Sequence, residues 1–365
     1  MEAFNLLHFL KSGDELPREA IGFLYEYGAF LILRDLPRGS EFGVDYKSWQ
    51  TDEKFLGLKM IPPGPHFVYC SIKTAPRIGF FHAFKSKEVL VKKWDKEKED
   101  FSDAPVSDEE VERFRANLKN MDNMLGPYPF ENYRSWYALA EFIDEGTLTR
   151  LQPLKGRISA QAELVSMETQ FMENAELNAS VGCSNSVDRE HPTRTRFVDQ
   201  QGLPIMKIRE GYEIRFSSIP QLKADRIGID YSDRLEELIQ KMGGNWHSLL
   251  AELQFAFVAF LIGQVFEGFE QWKRLIHLLC CCPRELHLRS PLFVSFIRVI
   301  FFQLKECPSD FFVDIVSRDN FLTTTLSMLF ANIKDNDDAS DELKKKSLQF
   351  KAYLTKTFKW DFNFE

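Results

Sequence analysis

The side chains that most readily ligate metals come closest together around His277. His277, Cys280 and Cys281 lie at positions i, i+3 and i+4, so one face of a helix could present three ligands. A structural zinc site needs a fourth ligand and takes its ligands as short-spaced pairs from two elements, and no second cysteine pair is present. We interpret these residues as small buried side chains at a helix end that Pro283 terminates. The sequence therefore predicts no metal site.

The candidate nucleophiles and bases are no better arranged. His66 and Cys70 lie on one predicted strand, where positions i and i+4 share a face but stand about 13 Å apart. No phosphate-binding loop of the GxxxxGK[ST] or GxGxxG type occurs, and no GxSxG nucleophile elbow. Asp314 lies among apolar residues, where pairing with Arg318 one helical turn later accounts for it. We predict a protein that is not an enzyme and takes no cofactor.

A cryptic hydrolase is a rival hypothesis that a structure can test. It requires polar side chains that converge in a pocket. His66 or His82 placed against Cys70, or against an acid from another strand, would support it.

The charge balance is acidic. The chain has 365 residues, of which 54 are acidic and 46 basic, and its net charge is −8. Its longest basic run, Lys344 to Lys346, lies beside Asp341 and Glu342 and is typical of a solvated helix face. Proteins that bind nucleic-acid phosphates carry a basic surplus or stripe. We therefore expect no direct binding to nucleic acid.

Three features favour an intracellular setting. The six cysteines show no disulfide-like spacing. The N-terminal residues carry Glu2 and no basic segment before Leu6, unlike a signal peptide. The most apolar segment, Leu253 to Phe266, has 14 residues without a charge, against about 20 for a membrane span. We expect cytoplasmic and nuclear localisation and no membrane contact.

Residues 1–154 are predicted to form a β-rich domain. Short apolar runs separated by Pro/Gly turns are typical of a sandwich or barrel. The candidate strands cover residues 28–33, 55–60, 66–71, 78–83 and 89–94. Ser107 and Glu110 form a capping box that predicts a helix to about Met124, and a second helix begins near Tyr133. We place these two helices at the end of the domain, where they close it.

The rest of the chain divides into a linker and a helical domain. Residues 155–224 are polar and poorly periodic, which predicts a linker that is partly disordered. Gly211 to Phe216 alternates with period two and predicts a strand that docks back on a domain. Residues 225–365 show only helical signals, with breaks at Gly263 and Gly268. The fold class is therefore α+β and multidomain, with an all-helical C-terminal domain.

Several longer blocks match the pattern of one family, in the same order along the chain. They are LPRGSEFGVDY at 36–46, GLKMIPPGPHF at 57–67, LGPYP at 125–129, ELQFAFV at 252–258, FEQWKRL at 269–275, DFFVDIV at 310–316 and LTKTFKWDF at 354–362. Through these blocks the chain resembles the AAR-two splicing factor family. The linker carries no close resemblance.

The resemblance implies a fold and a role. The implied fold is an N-terminal β-sandwich-like domain followed by a helical domain of VHS-like form. The implied role is that of a spliceosome assembly factor without catalytic chemistry, which acts in U-five snRNP maturation. It implies binding to the Prp-eight scaffold protein through its RNase H-like domain, and in some members through its Jab/MPN domain. The factor would hold a surface that the Brr-two helicase later needs.

Two segments are candidate partner contacts. Pro62, Pro63, Gly64 and His66 form a rigid turn with little entropy to lose on binding, and a purely structural turn is the alternative. Trp360 is expected to pack on the helical domain and, with Phe362, to contribute to the contact surface.

The C-terminal segment also bears on how the partner is held. Some family members bridge two Prp-eight domains through a longer tail. This chain stops five residues after Trp360, so bridging by strand addition would depend on residues 362–364.

A VHS-like trafficking adaptor that binds peptides is the second functional hypothesis. It rests on fold similarity alone, which is weak support for a function. A basic, peptide-sized groove between helices would favour it.

Overall fold

The structure, a computed structural model, describes residues 18–167, 169–170, 172, 198, 203–219, 230–307 and 321–362. Within these residues an N-terminal part made of β-sheets with flanking helices precedes an all-helical C-terminal part. The predicted α+β fold class is confirmed. The candidate acid Asp314 and the last three residues lie outside the described residues.

The first sheet has five strands in the order β8–β7–β1–β4–β9. They are β1 (Ala29–Arg34), β4 (Gly57–Ile61), β7 (Val89–Asp95), β8 (Asp100–Phe101) and β9 (Leu125–Pro127). Strand β1 runs parallel to β7 and antiparallel to β4. Both faces of β1 are covered, because Leu31 packs into the main core and Ile32 into a smaller one. Burial on both faces is what a continuous apolar run predicts.

The second sheet also has five strands, in the order β10–β6–β5–β2–β3. They are β2 (Glu41–Val44), β3 (Lys47–Gln50), β5 (Gly64–Ser71), β6 (Ile78–Phe84) and β10 (Ile158–Ser159), and every pair is antiparallel. The β2–β3 hairpin was not predicted. Its two-residue turn, Asp45–Tyr46, lacks the Asn-Gly or Asp-Gly signal, although Asp45 takes the positive φ of +53° that such turns need.

Among the described residues, four α-helices flank these sheets. They are α1 (Arg18–Tyr27), α2 (Asp108–Asn117), α3 (Tyr133–Ala140) and α4 (Glu145–Leu151). Ser107 caps α2 by accepting from the Glu110 amide at 3.3 Å, as the capping box predicts. The Glu110 carboxylate pairs with Arg34 of β1 and thereby ties α2 to the first sheet.

The predicted linker contains ordered segments at both ends. Ile158 of β10 is buried and pairs with Gly79 of β6. Strand β11 (Leu164–Ser166) pairs with β12 (Met206–Ile208) in a separate two-stranded sheet. The boundaries at residues 154 and 224 stay predictions.

The strand predicted at Gly211 to Phe216 is wrong, because the backbone there bonds outside any ladder. The Gly211 amide donates to the Glu213 carboxylate, and the Arg215 amide donates to the Leu151 carbonyl. The segment docks on the protein as expected but without strand pairing.

The described C-terminal part is helical. Its helices are α5 (Ser232–Lys241), α6 (His247–Leu261), α7 (Phe266–Cys280), α8 (Glu285–Leu288), α9 (Ser290–Glu306), α10 (Phe321–Lys334) and α11 (Asp341–Phe358). No described helix has the length and apolar composition required to cross a bilayer. Gly243 and Gly244 take φ values of +88° and +78° and cap α5, the Gly244 amide donating to the Ile239 carbonyl at 2.9 Å.

The chain breaks between α6 and α7 at Gly263 and Gln264, but it does not break at Gly268. Gly268 lies inside α7, where a Cβ would come within 2.7 Å of the Ala256 carbonyl oxygen of α6. Glycine is therefore needed for close helix packing at this position. The predicted second break mistook a packing glycine for a helix terminator.

The sheets and the helices share one hydrophobic core. Buried residues of β5, β6, α6, α7 and α9 belong to a single contiguous cluster. Phe81 of β6 stacks on Phe255 of α6 with ring centroids 4.5 Å apart. The Tyr46 hydroxyl at the β2–β3 turn donates to the Glu306 carbonyl at 3.0 Å. The two parts are therefore joined by packing as well as by the chain.

The C-terminal segment packs on the helices. Trp360 and Phe362 are 5% and 7% exposed, which confirms the expected docking of Trp360. Phe362 contacts the Phe330 ring of α10 at 5.1 Å, and Trp360 stacks on Phe358 at 5.0 Å.

Truncation after Lys359 is therefore expected to lower the free energy of unfolding by about 3–5 kcal/mol, since buried aromatic side chains are lost. Equilibrium urea unfolding measures the change. Truncation after Phe362 is the matched control and should unfold like the full chain. Equal unfolding midpoints for the two truncations would show that Trp360 and Phe362 do not stabilise the fold.

Candidate functional site

The predicted partner-binding turn is a corner between the two sheets. Strand β4 belongs to the first sheet and β5 to the second, and Pro62 and Pro63 connect them. Pro62 is buried, Pro63 is exposed and Gly64 is half-buried. Proline fixes φ and has no backbone N–H, so it suits a place where the chain leaves one ladder for another. The corner therefore presents Pro63 to solvent on a stiff backbone.

His66 lies beneath this corner and supports it. Its side chain is 1% exposed, with Nε2 2.8 Å from the Pro62 carbonyl oxygen and Nδ1 2.7 Å from Asp45 Oδ2. A carbonyl oxygen only accepts, so Nε2 carries a proton and donates it to Pro62. A second proton lies between His66 Nδ1 and Asp45 Oδ2, and one of these two atoms carries it. His66 thus fixes the corner to the β2–β3 turn.

Asp45 joins three segments, the β2–β3 turn, strand β5 and the residues after β9, through one buried carboxylate. Besides contacting His66, it accepts from the Phe67 amide through Oδ1 at 2.9 Å and from the Tyr128 hydroxyl through Oδ2 at 2.6 Å. Burial and the Asp45 charge raise the pKa of Tyr128 well above its usual value, so the phenol stays protonated and donates. Trp136 of α3 adds a bond from its Nε1 to the Pro65 carbonyl at 2.9 Å. We call Asp45, His66 and Tyr128 the corner network.

The corner network has the residue types of a catalytic relay, but its side chains are not accessible to a substrate. The hydrolase hypothesis asked for His66 or His82 against Cys70 or against an acid from another strand. His66 meets Asp45 of the β2–β3 turn, and His82 Nε2 lies 2.8 Å from Glu88 Oε1 just before β7. A general base needs a free nitrogen that faces the reacting group. Nε2 of His66 instead bonds to Pro62, and both Asp45 and His66 are 1% exposed. The geometry favours an architectural network. Cys70, four residues along β5 from His66, stays a thiol because burial raises its pKa.

Several predicted contact residues lie inside the protein. His66, Trp360 and Phe362 are nearly fully buried, so their side chains have no surface to offer a partner in this conformation. Each is used in internal packing, and their predicted contact role stays a prediction. Pro63 is exposed and Gly64 is half-buried, so these two residues are the part of the predicted turn that a partner can reach. The interface itself stays a prediction.

A second polar network joins the sheet-rich part to the helices. Glu252 of α6 is fully buried and accepts from Arg150 Nη1 of α4 at 2.5 Å. It also accepts from the Ser217 amide and hydroxyl, each at 2.8 Å, and from Gln271 Nε2 of α7 at 2.9 Å. We call Glu252, Arg150, Ser217 and Gln271 the seam network. It fixes the segment before Ile219 and helix α4 against α6 and α7.

No short sequence motif identifies the seam network. Glu252 lies within an apolar block, where a charged residue at a buried helix position indicates a paired partner. Its partners come from three distant segments, so no short spacing identifies them. Gln254 behaves similarly, since its Oε1 accepts from the Phe142 amide at 2.8 Å and its Nε2 donates to the Ala138 carbonyl at 3.1 Å.

The histidine–cysteine cluster at the end of α7 is buried. Burial lowers the pKa of His277 and raises the pKa of Cys281 to about 11, so the imidazole is neutral and the thiol protonated. The Cys281 sulfur lies 3.6 Å from the Met328 sulfur of α10. In the described part of the chain, no three histidine, cysteine or acidic side chains are grouped closely enough to hold a metal ion.

The fold and its networks define a class of protein. It is an α+β protein whose two sheets and helical part share one core and whose buried charges serve to join elements. Comparison with known families gives the assignment. Residues 27–153 match the AAR2 N-terminal domain, and residues 216–363 match the AAR2 C-terminal repeat region.

Full-length relatives agree. The chain is 64% identical over 354 residues to the Caenorhabditis elegans protein called Protein AAR2 homolog, covering 96% of this chain and 99% of that one. It is 38% identical to the Mus musculus homolog, covering 97% and 95%, and 38% identical to the Homo sapiens homolog, covering 93% and 91%. The chain belongs to the AAR2 family, as its ordered sequence blocks predicted.

Proposed function

We propose that this chain is a spliceosome assembly factor that binds Prp-eight through its RNase H-like domain during U-five snRNP maturation. The observation that carries the proposal is family membership over nearly the whole chain, at 64% identity to one relative. Membership of the AAR2 family supports a splicing-related role. Cytoplasmic and nuclear localisation, with no direct nucleic-acid contact, belongs to the same proposal.

The physical logic is that of a placeholder. A factor that binds one partner surface stabilises it by mass action and blocks a competitor for that surface. No bond is made or broken. The corner and seam networks suit this task, because a preorganised surface loses little entropy when it binds. The competitor in this proposal is the Brr-two helicase, and the Jab/MPN domain of Prp-eight is a second contact.

The contact we propose within the sheet-rich part is the exposed face of the corner at Pro63. Replacing Pro63 with Glu puts a charge on this face and is expected to weaken binding to the RNase H-like domain at least about tenfold, as truncating a central contact would. Isothermal titration calorimetry measures the affinity. Pro105→Glu, at another exposed proline outside the corner, is the matched control and should bind like wild type.

Melting temperatures separate binding from stability. Both proline variants are expected to melt within a few degrees of wild type, because neither changes a buried side chain. Equal affinity of the Pro63 and Pro105 variants would make the corner purely structural and would leave the family role untouched.

Competition tests the placeholder role separately. Purified Brr-two helicase, added to a preformed complex of this chain with a Prp-eight fragment containing both domains, is expected to compete with this chain. Its apparent affinity should fall as the concentration of this chain rises. A stable complex of all three proteins would contradict shared use of one surface.

The adaptor hypothesis gains no support from the described helical part. It calls for a basic groove, but Arg284 is bound to Asp230 and Asp233, and Arg289 to Glu236 and Glu285. These arginines are held by acids of their own chain and serve to join α5 to α8.

A further inference from the structure

A cavity of about 370 Å³ opens beside the second sheet, away from the corner at Pro63. The predicted linker and the start of α7 complete its walls. Such a volume lies within the range of ordinary ligand pockets. Its apolar lining includes Cys70, Ile78, Trp94, Ile158, Ile214 and Val265. A large aliphatic or aromatic side chain would fit this lining by size and by polarity.

Trp94 forms part of the apolar wall of the cavity. Its side chain is 3% exposed and packs edge-on against Phe101 at 5.2 Å. Its indole Nε1 is buried and meets no acceptor among the described residues. Because this nitrogen has almost no accessible surface, it is not a binding group for a ligand in the cavity.

Arg157 belongs to the wall of the cavity and not to its binding groups. Its Nη1 donates to the Phe101 carbonyl at 2.8 Å and its Nη2 to the Tyr212 hydroxyl at 2.8 Å. Its Nε lies 2.9 Å from Asp100 Oδ2, and Nη1 also reaches Asp103 at 3.1 Å. The guanidinium is therefore neutralised and holds Tyr212 in place. An anionic ligand finds no free cation in Arg157.

The rest of the rim is acidic. Besides the Arg157–Asp100 pair, the described lining holds four glutamates and one lysine, namely Glu99, Glu163, Glu213, Glu267 and Lys98. Glu163 is paired with Arg209, but Glu99 and Glu267 form no ion pair with any described residue. Phe266, which precedes Glu267 in the chain, is 67% exposed. This charge pattern favours a cationic partner and opposes phosphates and acidic lipids.

We propose that this cavity is a docking site for a short basic segment of a partner protein, which inserts one apolar side chain. Its Lys or Arg residues pair with Glu99 and Glu267 at the rim of the cavity. An apolar anchor in a pocket with polar contacts around it is a common arrangement in protein recognition. The inference stands on the cavity alone and does not depend on the proposed binding of Prp-eight.

A fluorescein-labelled peptide, Gly-Lys-Arg-Leu-Lys-Arg-Gly, is the probe, and fluorescence polarisation with the full chain is the measurement. Wild type is expected to bind it, and a peptide with Ser in place of Leu, or with Glu in place of the basic residues, is expected to bind at least tenfold more weakly, about the loss of one apolar or charged anchor. Binding weaker than about 1 mM by wild type, or equal binding of the Glu peptide, would overturn the proposal.

Variants of the protein locate the site. Ala162 lines the cavity and is half-buried, so Ala162→Trp fills the pocket and should weaken binding about thirtyfold. Ala331→Trp, at an exposed position of α10, is the matched control and should bind like wild type. Unchanged binding by Ala162→Trp would place the peptide elsewhere and overturn the proposal.

The remaining variant tests the charge of the rim. The double variant Glu99→Gln with Glu267→Gln should lose about fivefold in affinity, as exposed ion pairs do, and should lose most of the salt dependence. Melting temperatures of all variants confirm that the fold persists. Salt-independent binding by wild type would contradict the role of the acidic rim.

Discussion

Replacing Asp45 with Asn is expected to lower the free energy of unfolding by about 3–5 kcal/mol, the range found when one partner of a buried pair is removed. Asp45 Oδ2 shares a proton with His66 Nδ1 and accepts from the Tyr128 hydroxyl, while Oδ1 accepts from the Phe67 amide. Asparagine has one acceptor oxygen and one NH₂ group. If its oxygen serves the Phe67 amide, its NH₂ replaces the oxygen that accepts from Tyr128, and the buried charge-assisted bonds are lost.

Backbone strain does not complicate this test. Asp45 has a φ of +53°, and asparagine adopts that left-handed conformation as readily as aspartate. Asp35 is the matched control, since it has a φ of +62° and is exposed. Asp35→Asn should change stability by less than about 0.5 kcal/mol. Urea unfolding followed by tryptophan fluorescence measures both variants, and equal stability of the two would mean that the corner network does not stabilise the fold.

Glu252→Ala is expected to cost about 3 kcal/mol or more, because it leaves several buried donors without an acceptor. The Ser217 amide and the Gln271 amide group lose their carboxylate, and Arg150 loses its partner charge. Arg150 is about one-third exposed, so water offsets part of that loss. The seam network should therefore rank with the corner network in its effect on stability.

Two companion variants make the Glu252 result specific. Glu252→Gln keeps one acceptor oxygen and removes the charge, so its loss should be intermediate. Glu237→Ala, on the exposed face of α5, removes a surface pair with Lys241 and should cost less than about 1 kcal/mol. Chemical denaturation compares the free energies of unfolding of the three variants. The dependence of that free energy on denaturant concentration is recorded for each. A loss below 1 kcal/mol for Glu252→Ala would contradict the account of the seam.

Local patterns predicted much of the fold. The apolar runs at 28–33, 66–71, 78–83 and 89–94 are strands in the structure, because each combines short length with flanking turn residues. The helices Asp108–Asn117 and Asp341–Phe358 each follow a serine, Ser107 or Ser340, whose side chain caps the first turn. These signals lie within a few residues of the structure they specify.

What could not be predicted depends on contacts between distant residues. The β2–β3 hairpin gained its stability from pairing with β5, and its turn residue Asp45 has no local signal of its own. The residues of the corner network, Asp45, His66 and Tyr128, come from three different elements. The period-two pattern at Gly211 to Phe216 predicted a strand, but the available partners there were a carboxylate and an isolated carbonyl.

The candidate interface shows the same limit. The rigidity of Pro62 and Pro63 follows from their chemistry and was predictable. The burial of His66 was not, because a histidine on a strand has two possible faces and only the fold chooses between them. His66 therefore supports the corner from below, and Pro63 is the residue that faces outward.

The central claim, binding to Prp-eight, is tested most directly by size-exclusion co-elution of the full chain with the purified RNase H-like domain of Prp-eight from the same organism. We predict one peak that contains both proteins in a one-to-one ratio. If two peaks are seen, the Jab/MPN domain is added to the mixture, and a single peak then shows that both domains are needed. Separate peaks in both mixtures would contradict the proposed function.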